Sequence, residues 1–103
     1  TEPDEILEVG DLTINTATRE IRRGEREITL TSREYDLLEY LAHNSRRVLS
    51  RDMILDRVWR DTLDVGSNVV DVYIGYLRRK IDQPGEPRLI HTVRGAGFSL
   101  HED

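Results

Sequence analysis

Residues 67–100 read Ser67-Asn68-Val69-Val70-Asp71-Val72-Tyr73-Ile74-Gly75-Tyr76-Leu77-Arg78-Arg79-Lys80-Ile81-Asp82, then Gln83-Pro84-Gly85-Glu86-Pro87, then Arg88-Leu89-Ile90-His91-Thr92-Val93-Arg94-Gly95-Ala96-Gly97-Phe98-Ser99-Leu100. Ser67 is a residue type that caps helix N-termini, and Pro84 lies just past the end of the run. Val70, Ile74, Leu77 and Ile81 recur at helical spacing and form one apolar stripe. The spacing predicts a helix over about 67–81 with Arg78, Arg79 and Lys80 at its end. Leu89–Val93 and Phe98–Leu100 predict strands joined through Arg94-Gly95-Ala96-Gly97. A helix with a basic end, a turn and a hairpin tipped by arginine suits a helix laid in a DNA groove with a β-wing beside it.

The helix face opposite the stripe carries Asn68, Val72, Gly75 and Arg79, with Tyr76 at its edge. Tyr73 and Lys80 lie on one flank, Asp71 and Arg78 on the other. A face that is only solvated favours Glu, Lys and Gln, and avoids Gly and Val, which lower helix propensity. In a groove each residue has a use. Asn bonds an adenine edge bidentately and Val touches a thymine methyl. Gly75 lets the backbone come close, Tyr73 and Tyr76 reach phosphates or sugars, and Arg78 and Arg79 neutralise phosphates or read guanine. Arg94, beside two glycines, fits a narrow minor groove. Thr92, on the same side of its strand, is placed for a phosphate. Taken singly, a solvated helix and an ordinary Gly-Ala-Gly turn explain the same residues.

Upstream, Ile6–Val9 and Leu12–Asn15 flank Gly10-Asp11, and Glu20–Arg23 and Arg26–Leu30 flank Gly24-Glu25, which predicts two hairpins in a small antiparallel sheet with one wet face. Thr31-Ser32-Arg33-Glu34 is a capping box, and Tyr35, Leu37, Leu38 and Leu41 carry a helix to about His43. Ser50 caps a second helix whose apolar face is Ile54, Leu55, Val58 and Trp59. Trp59 and the Tyr/Leu stripe of the first helix are read as core, and Asp61–Gly66 as a loop.

At 103 residues the chain is expected to be one domain over 6–101, with 1–5 as the remnant of a linker in a longer protein. Hydrophobic residues at 37% and charged residues at 34% give a globular chain with a highly charged surface. With no cysteine, disulfides and thiolate metal sites are excluded and a cytoplasmic location is expected. No apolar run approaches the roughly 20 residues of a membrane span. The net charge of −5 opposes polyanion binding, but residues 67–97 hold five basic against three acidic side chains, a local +2. The acids gather earlier, at Glu2, Asp4, Glu5, Glu8 and Asp11, at Glu34, Asp36 and Glu39, and at Asp61 and Asp64. Neither enzyme chemistry, nor a metal, nor a cofactor is indicated. His43, His91 and His101 lack metal-ligand spacing, and no strand–glycine turn–helix order surrounds Arg94-Gly95-Ala96-Gly97.

These motifs, with Leu30–Leu38, Val48-Leu49-Ser50-Arg51, Val58-Trp59, Asn68–Ile74, Leu77–Ile81 and Thr92–Phe98 in this order, resemble the OmpR/PhoB family, the C-terminal winged-helix effector domains of two-component response regulators. The resemblance runs from about Ile6 to Leu100. It implies an α+β winged helix-turn-helix with an N-terminal four-stranded antiparallel sheet, three helices and a C-terminal hairpin wing. It implies that the third helix enters the major groove and the wing meets the minor groove. By position, Asn68, Val72, Tyr73, Tyr76 and Arg78 match recognition-helix contacts, Arg51 and Thr92 match phosphate contacts, and Arg94 matches the wing arginine. Val69 and Arg79 complete the expected DNA-contact set. The segment Trp59, Arg60, Asp61, Thr62, Leu63, Asp64 and Val65 matches the loop that relatives turn toward RNA polymerase. The implied partners are double-stranded DNA with direct-repeat half-sites bound by head-to-tail pairs, RNA polymerase, an upstream receiver domain and a sensor kinase. The chain departs from the pattern at Phe98, where Tyr is common, and at Gly75 and Tyr76, where some members carry arginines.

The competing reading is a winged helix used only for protein contact, which the acidic net charge and the apolar Val69, Val72, Tyr73 and Tyr76 would suit.

Overall fold

The computed structural model describes residues 5–62, 65–66 and 68–102. Strands β1 (Ile6–Val9), β2 (Leu12–Asn15), β3 (Glu20–Arg23) and β4 (Arg26–Ile28) pair in chain order, each antiparallel to the next. The register sets Leu7 opposite Ile14, Ile14 opposite Ile21, and Ile21 opposite Ile28, an apolar row across the sheet. Because strand side chains alternate, this row turns one face inward and leaves the other wet. β4 stops two residues short of the expected Leu30: its pairing ends at Ile28 opposite Ile21, and by Thr31 the chain has become the cap of the first helix.

Helix α1 (Ser32–His43) starts at Thr31, whose Oγ1 accepts from the Glu34 N–H at 3.3 Å while the Thr31 N–H donates to Glu34 Oε1 at 2.9 Å. Helix α2 (Arg51–Val58) starts at Ser50, whose Oγ accepts from the Met53 N–H at 3.1 Å. Helix α3 (Asn68–Ile81) buries Val70, Ile74, Leu77 and Ile81, the stripe read from the sequence. Its expected cap Ser67 lies outside the described residues, as do Leu63 and Asp64 of the preceding loop.

The carbonyls at the end of α3 lack helical partners. Two arginines of the sheet supply them: Arg23 Nη1 donates to the Ile81 carbonyl at 2.7 Å, and Arg26 Nη1 to the Lys80 carbonyl at 2.8 Å. Positive charge there also complements the helix dipole. The N-terminal sheet therefore fixes the end of α3.

Strands β5 (Ile90–Val93) and β6 (Gly97–Leu100) form the terminal hairpin. Just before β5, the Leu89 N–H donates to Asp82 Oδ1 at 3.0 Å and its carbonyl accepts from the His101 N–H at 3.0 Å, while the Ile90 N–H donates to Asp82 Oδ2 at 3.1 Å. Leu49, just before α2, bridges to Phe98 through reciprocal backbone bonds of 2.8 and 2.9 Å. Gly97 permits this approach, since a Cβ there would lie 2.0 Å from the Leu49 carbonyl oxygen and its φ is +147°. Residues of both sheets and all the helices meet in one core, with Leu37, Leu38, Leu41, Ile54 and Phe98 at its centre. Among the described residues no helix is long and apolar enough to cross a membrane.

Candidate nucleic-acid interface

The open face of α3 holds Asn68, Val72, Tyr76 and Arg79, all exposed, with Gly75 half-buried between them. Val72 is 42% and Tyr76 40% accessible, the two large apolar side chains that this helix leaves most open. Val69 and Tyr73, expected with them, are half-buried and also pack against the core. Tyr73 stands edge-on between Trp59 and Tyr76, 5.2 Å from each ring at 72° and 66°. This ladder leads from the buried Trp59 to the surface, so Tyr76 is held from behind.

The basic end of α3 divides into different roles. Lys80 Nζ donates to Glu34 Oε1 at 2.6 Å, tying α3 to the capping box of α1. Burial of Glu34 works to raise its carboxyl. The Lys80 hydrogen bond and charge, with the Thr31 N–H, outweigh it and leave that carboxyl below its ordinary range. Arg78 Nη2 donates to Thr92 Oγ1 at 2.5 Å and to the Ile90 carbonyl at 3.3 Å, so it ties the helix to the wing. Burial, then the neighbouring Arg88 charge, lowers the Arg78 pKa. Arg79 is exposed on the helix, as Arg94 is in the 94–96 turn, and neither has an ion pair among the described residues.

Arg51 joins this surface from α2. Its guanidinium binds the Asp71 carboxylate through Nε at 3.0 Å and Nη2 at 2.8 Å, and lies 4.9 Å from the centre of the Phe98 ring. The start of α2, the first turn of α3 and the wing thus meet at one residue. Phe98 keeps this stacking surface without a phenol.

In the preceding loop, Trp59 is buried and Val65 half-buried against the core, while Arg60 and Asp61 are exposed. Arg33 supports the segment, its Nη1 donating to the Val58 carbonyl and lying 3.5 Å from Asp61 Oδ1. At the root of the wing, His91 and His101 stack at 3.9 Å and 14°, and His101 Nδ1 and Ser99 Oγ are 3.1 Å apart. Among the described residues no group of three His, Cys, Asp or Glu is arranged to hold a metal.

Sequence reading missed the Arg51–Asp71 pair, the second use of Glu34, and the buried Arg23. Strand alternation is a signal for the last, because Arg23 shares the inward side with Ile21.

A family profile described as "Transcriptional regulatory protein, C terminal" matches residues 25–100. Response regulator MprA of Mycobacterium tuberculosis H37Rv is 52% identical over 96 residues, covering 93% of this chain and 42% of that protein. The counterpart in Mycobacterium sp. KMS is 52% identical over 107 residues, covering 99% of this chain and 46% of that protein. The chain thus spans less than half the length of these relatives. Among solved structures, the Klebsiella pneumoniae RstA DNA-binding domain in complex with the RstA box superposes with a TM-score of 0.82 at 31% identity, covering 94% of this chain and 97% of that one. The DNA-binding domain of Escherichia coli CadC gives 0.82 at 33% identity, covering 98% and 96%. The winged-helix geometry and these matches agree: the chain belongs to the family of transcriptional regulatory protein C-terminal domains, the OmpR/PhoB-type DNA-binding output domains of response regulators.

Proposed function

We propose that this domain binds double-stranded DNA sequence-specifically, with α3 in the major groove, Asn68, Val72 and Tyr76 toward the bases, and Arg94 of the wing at the minor groove. The observation that carries this is the join of α3 to the wing through Arg78 and Thr92, which sets the open stripe of α3 beside the arginine turn. Arg51, Arg79 and Thr92 serve phosphates at the rim. The arginines position the domain and the largely uncharged centre specifies sequence.

Around this core we place the finer features of the reading. The binding units are direct-repeat half-sites occupied head to tail. An upstream receiver domain, addressed by a sensor kinase, controls access to them. The 59–65 segment meets RNA polymerase through Arg60 and Asp61, with Trp59 as its buried anchor. A cytoplasmic location accompanies these partners.

Selection from random DNA with wild type and Asn68→Ala, followed by affinity measurements across a salt series, tests the proposal. Recovery of a motif that loses preference at one position in the variant is expected, as is a log–log salt slope near −0.9 per phosphate contact. Association of apolar protein surfaces would barely respond to salt, so a flat series with no recovered motif would favour the protein-contact reading.

A further inference from the structure

Gly75 sits in the middle of α3, where glycine lowers helix stability relative to alanine. Nothing inside the protein requires it. Apart from its chain neighbours and the backbone of its own helix, a Cβ built on Gly75 meets no atom within 4 Å, and its φ is not in the left-handed region. The fold would accept alanine there, so the vacancy faces outward. It is flanked by Val72, one turn earlier, and by Tyr76, which the Trp59–Tyr73 ladder holds from behind. Arg51 is engaged by Asp71, Arg78 by Thr92 and Lys80 by Glu34, which leaves Arg79, four residues on, as the exposed cation of this face without an ion pair among the described residues. The gap left by the absent side chain is open, and the large apolar side chains exposed on the same helix are Val72 and Tyr76. In the major groove the unmodified base that offers a methyl group is thymine.

We propose that the gap at Gly75 receives one thymine 5-methyl group of the DNA half-site, beside the exposed Val72 and Tyr76. This rests on the proposed placement of α3 in the major groove and makes Gly75 a specificity-determining residue. An alanine methyl and a thymine methyl would then compete for one space.

The test uses a duplex carrying the half-site recovered by selection, with each thymine replaced in turn by deoxyuridine, which removes only the methyl. The wild-type chain should lose affinity about three- to five-fold at one position, the effect of leaving one methyl unburied. Gly75→Ala should raise the melting temperature by roughly 3–6 °C, because the helix gains and nothing is displaced. On the thymine duplex it should bind more weakly than wild type. At that one position it should prefer deoxyuridine to thymine, reversing the wild-type order. A wild-type chain indifferent to every thymine-to-deoxyuridine exchange overturns the proposal, as does a Gly75→Ala variant that keeps the wild-type ratio. Either result leaves DNA binding itself standing if affinity still falls with salt. A chain that retains no duplex at any salt removes the major-groove placement, and this inference with it.

Discussion

Arg51 on α2 and Asp71 on α3 form a bidentate ion pair, Nη2 to Oδ1 at 2.8 Å and Nε to Oδ2 at 3.0 Å, and the same guanidinium covers the Phe98 ring of the wing. Arginine suits this place because its planar fork can bond a carboxylate on one edge and stack on an aromatic with its face. The hydrogen bond from Arg51 also holds the Asp71 carboxyl below its usual range. The pair aligns Arg51 at the proposed phosphate rim and cancels its charge there.

Asp71→Asn should therefore strengthen binding to unrelated DNA, because one carboxylate leaves a surface that meets phosphates. Its log–log salt slope should steepen by about 1. Discrimination between the selected site and unrelated DNA should narrow, since Arg51 is less firmly held. Fluorescence anisotropy over a salt series gives both quantities. An unchanged slope together with unchanged non-specific affinity would remove Arg51 from the phosphate contacts.

Arg94→Ala should weaken binding to every sequence and lower the magnitude of the salt slope by about 1. Arg94 is exposed at the turn of the hairpin, so the melting temperature should stay within error. If the slope and affinity match wild type, the wing turn makes no phosphate contact.

Arg78 should behave differently from Arg94, although both are arginines of the expected contact set. Arg78→Ala cuts the bond to Thr92 and leaves the helix and wing less firmly joined, so stability should fall by about 1–2 kcal/mol. Thr92→Val, which exchanges the hydroxyl for a methyl, should also lower stability, and both variants should bind DNA more weakly. The double variant should lose less than the sum of the singles, because the two act through one bond. Additive losses in denaturant and binding titrations would show that Arg78 and Thr92 act separately.

What could be read from the sequence follows the range of the physics. The Thr31–Glu34 capping box, the Ser50 cap and the 70–74–77–81 stripe depend on neighbours within a few residues, and each appears in the structure as expected. The division of α3 into a buried stripe and an open face of Asn68, Val72 and Tyr76 depends on helical periodicity alone. The fate of its charges does not. Lys80 finds Glu34, 46 residues away, and Arg23 finds Asp82, 59 residues away. Such distances are set by how the sheet and helices stack. Val69 and Tyr73, read from the sequence as contact residues, are half-buried, and the cover that Trp59 gives Tyr73 comes from another element.

Arg23 carries the heaviest structural demand among these charges. Its side chain is fully buried and donates to Asp11, Asp82, the Ile81 carbonyl and the Pro87 carbonyl. Arg23→Met should cost about 3–5 kcal/mol, because the buried acceptors lose their donor. The melting temperature should drop by roughly 12 °C or more. Arg23 lies on the sheet at the C-terminal end of α3, so the folded fraction should bind the selected DNA as wild type does. A small thermal shift would show that water or neighbouring groups replace the guanidinium.

Glu34 links folding to pH. Its carboxyl is held below the ordinary value of 4.5 despite burial, through Lys80 and the Thr31 N–H. A carboxyl whose folded pKa is depressed contributes stability that is complete above its unfolded pKa and is lost as pH falls through the folded one. Wild-type stability should therefore decline from about pH 4.5 downward. Glu34→Gln keeps an acceptor for the cap and for Lys80 but has no proton to gain. It should be about 1–2 kcal/mol less stable at neutral pH, from the lost charge-assisted bond. Its acid limb should be shallower than that of wild type and should keep a residual slope, because Asp61, Asp71 and Glu86 are also held low. Urea titrations at pH 3 to 7 measure this directly. Parallel curves for the two proteins would show that protonation of Glu34 is not coupled to folding.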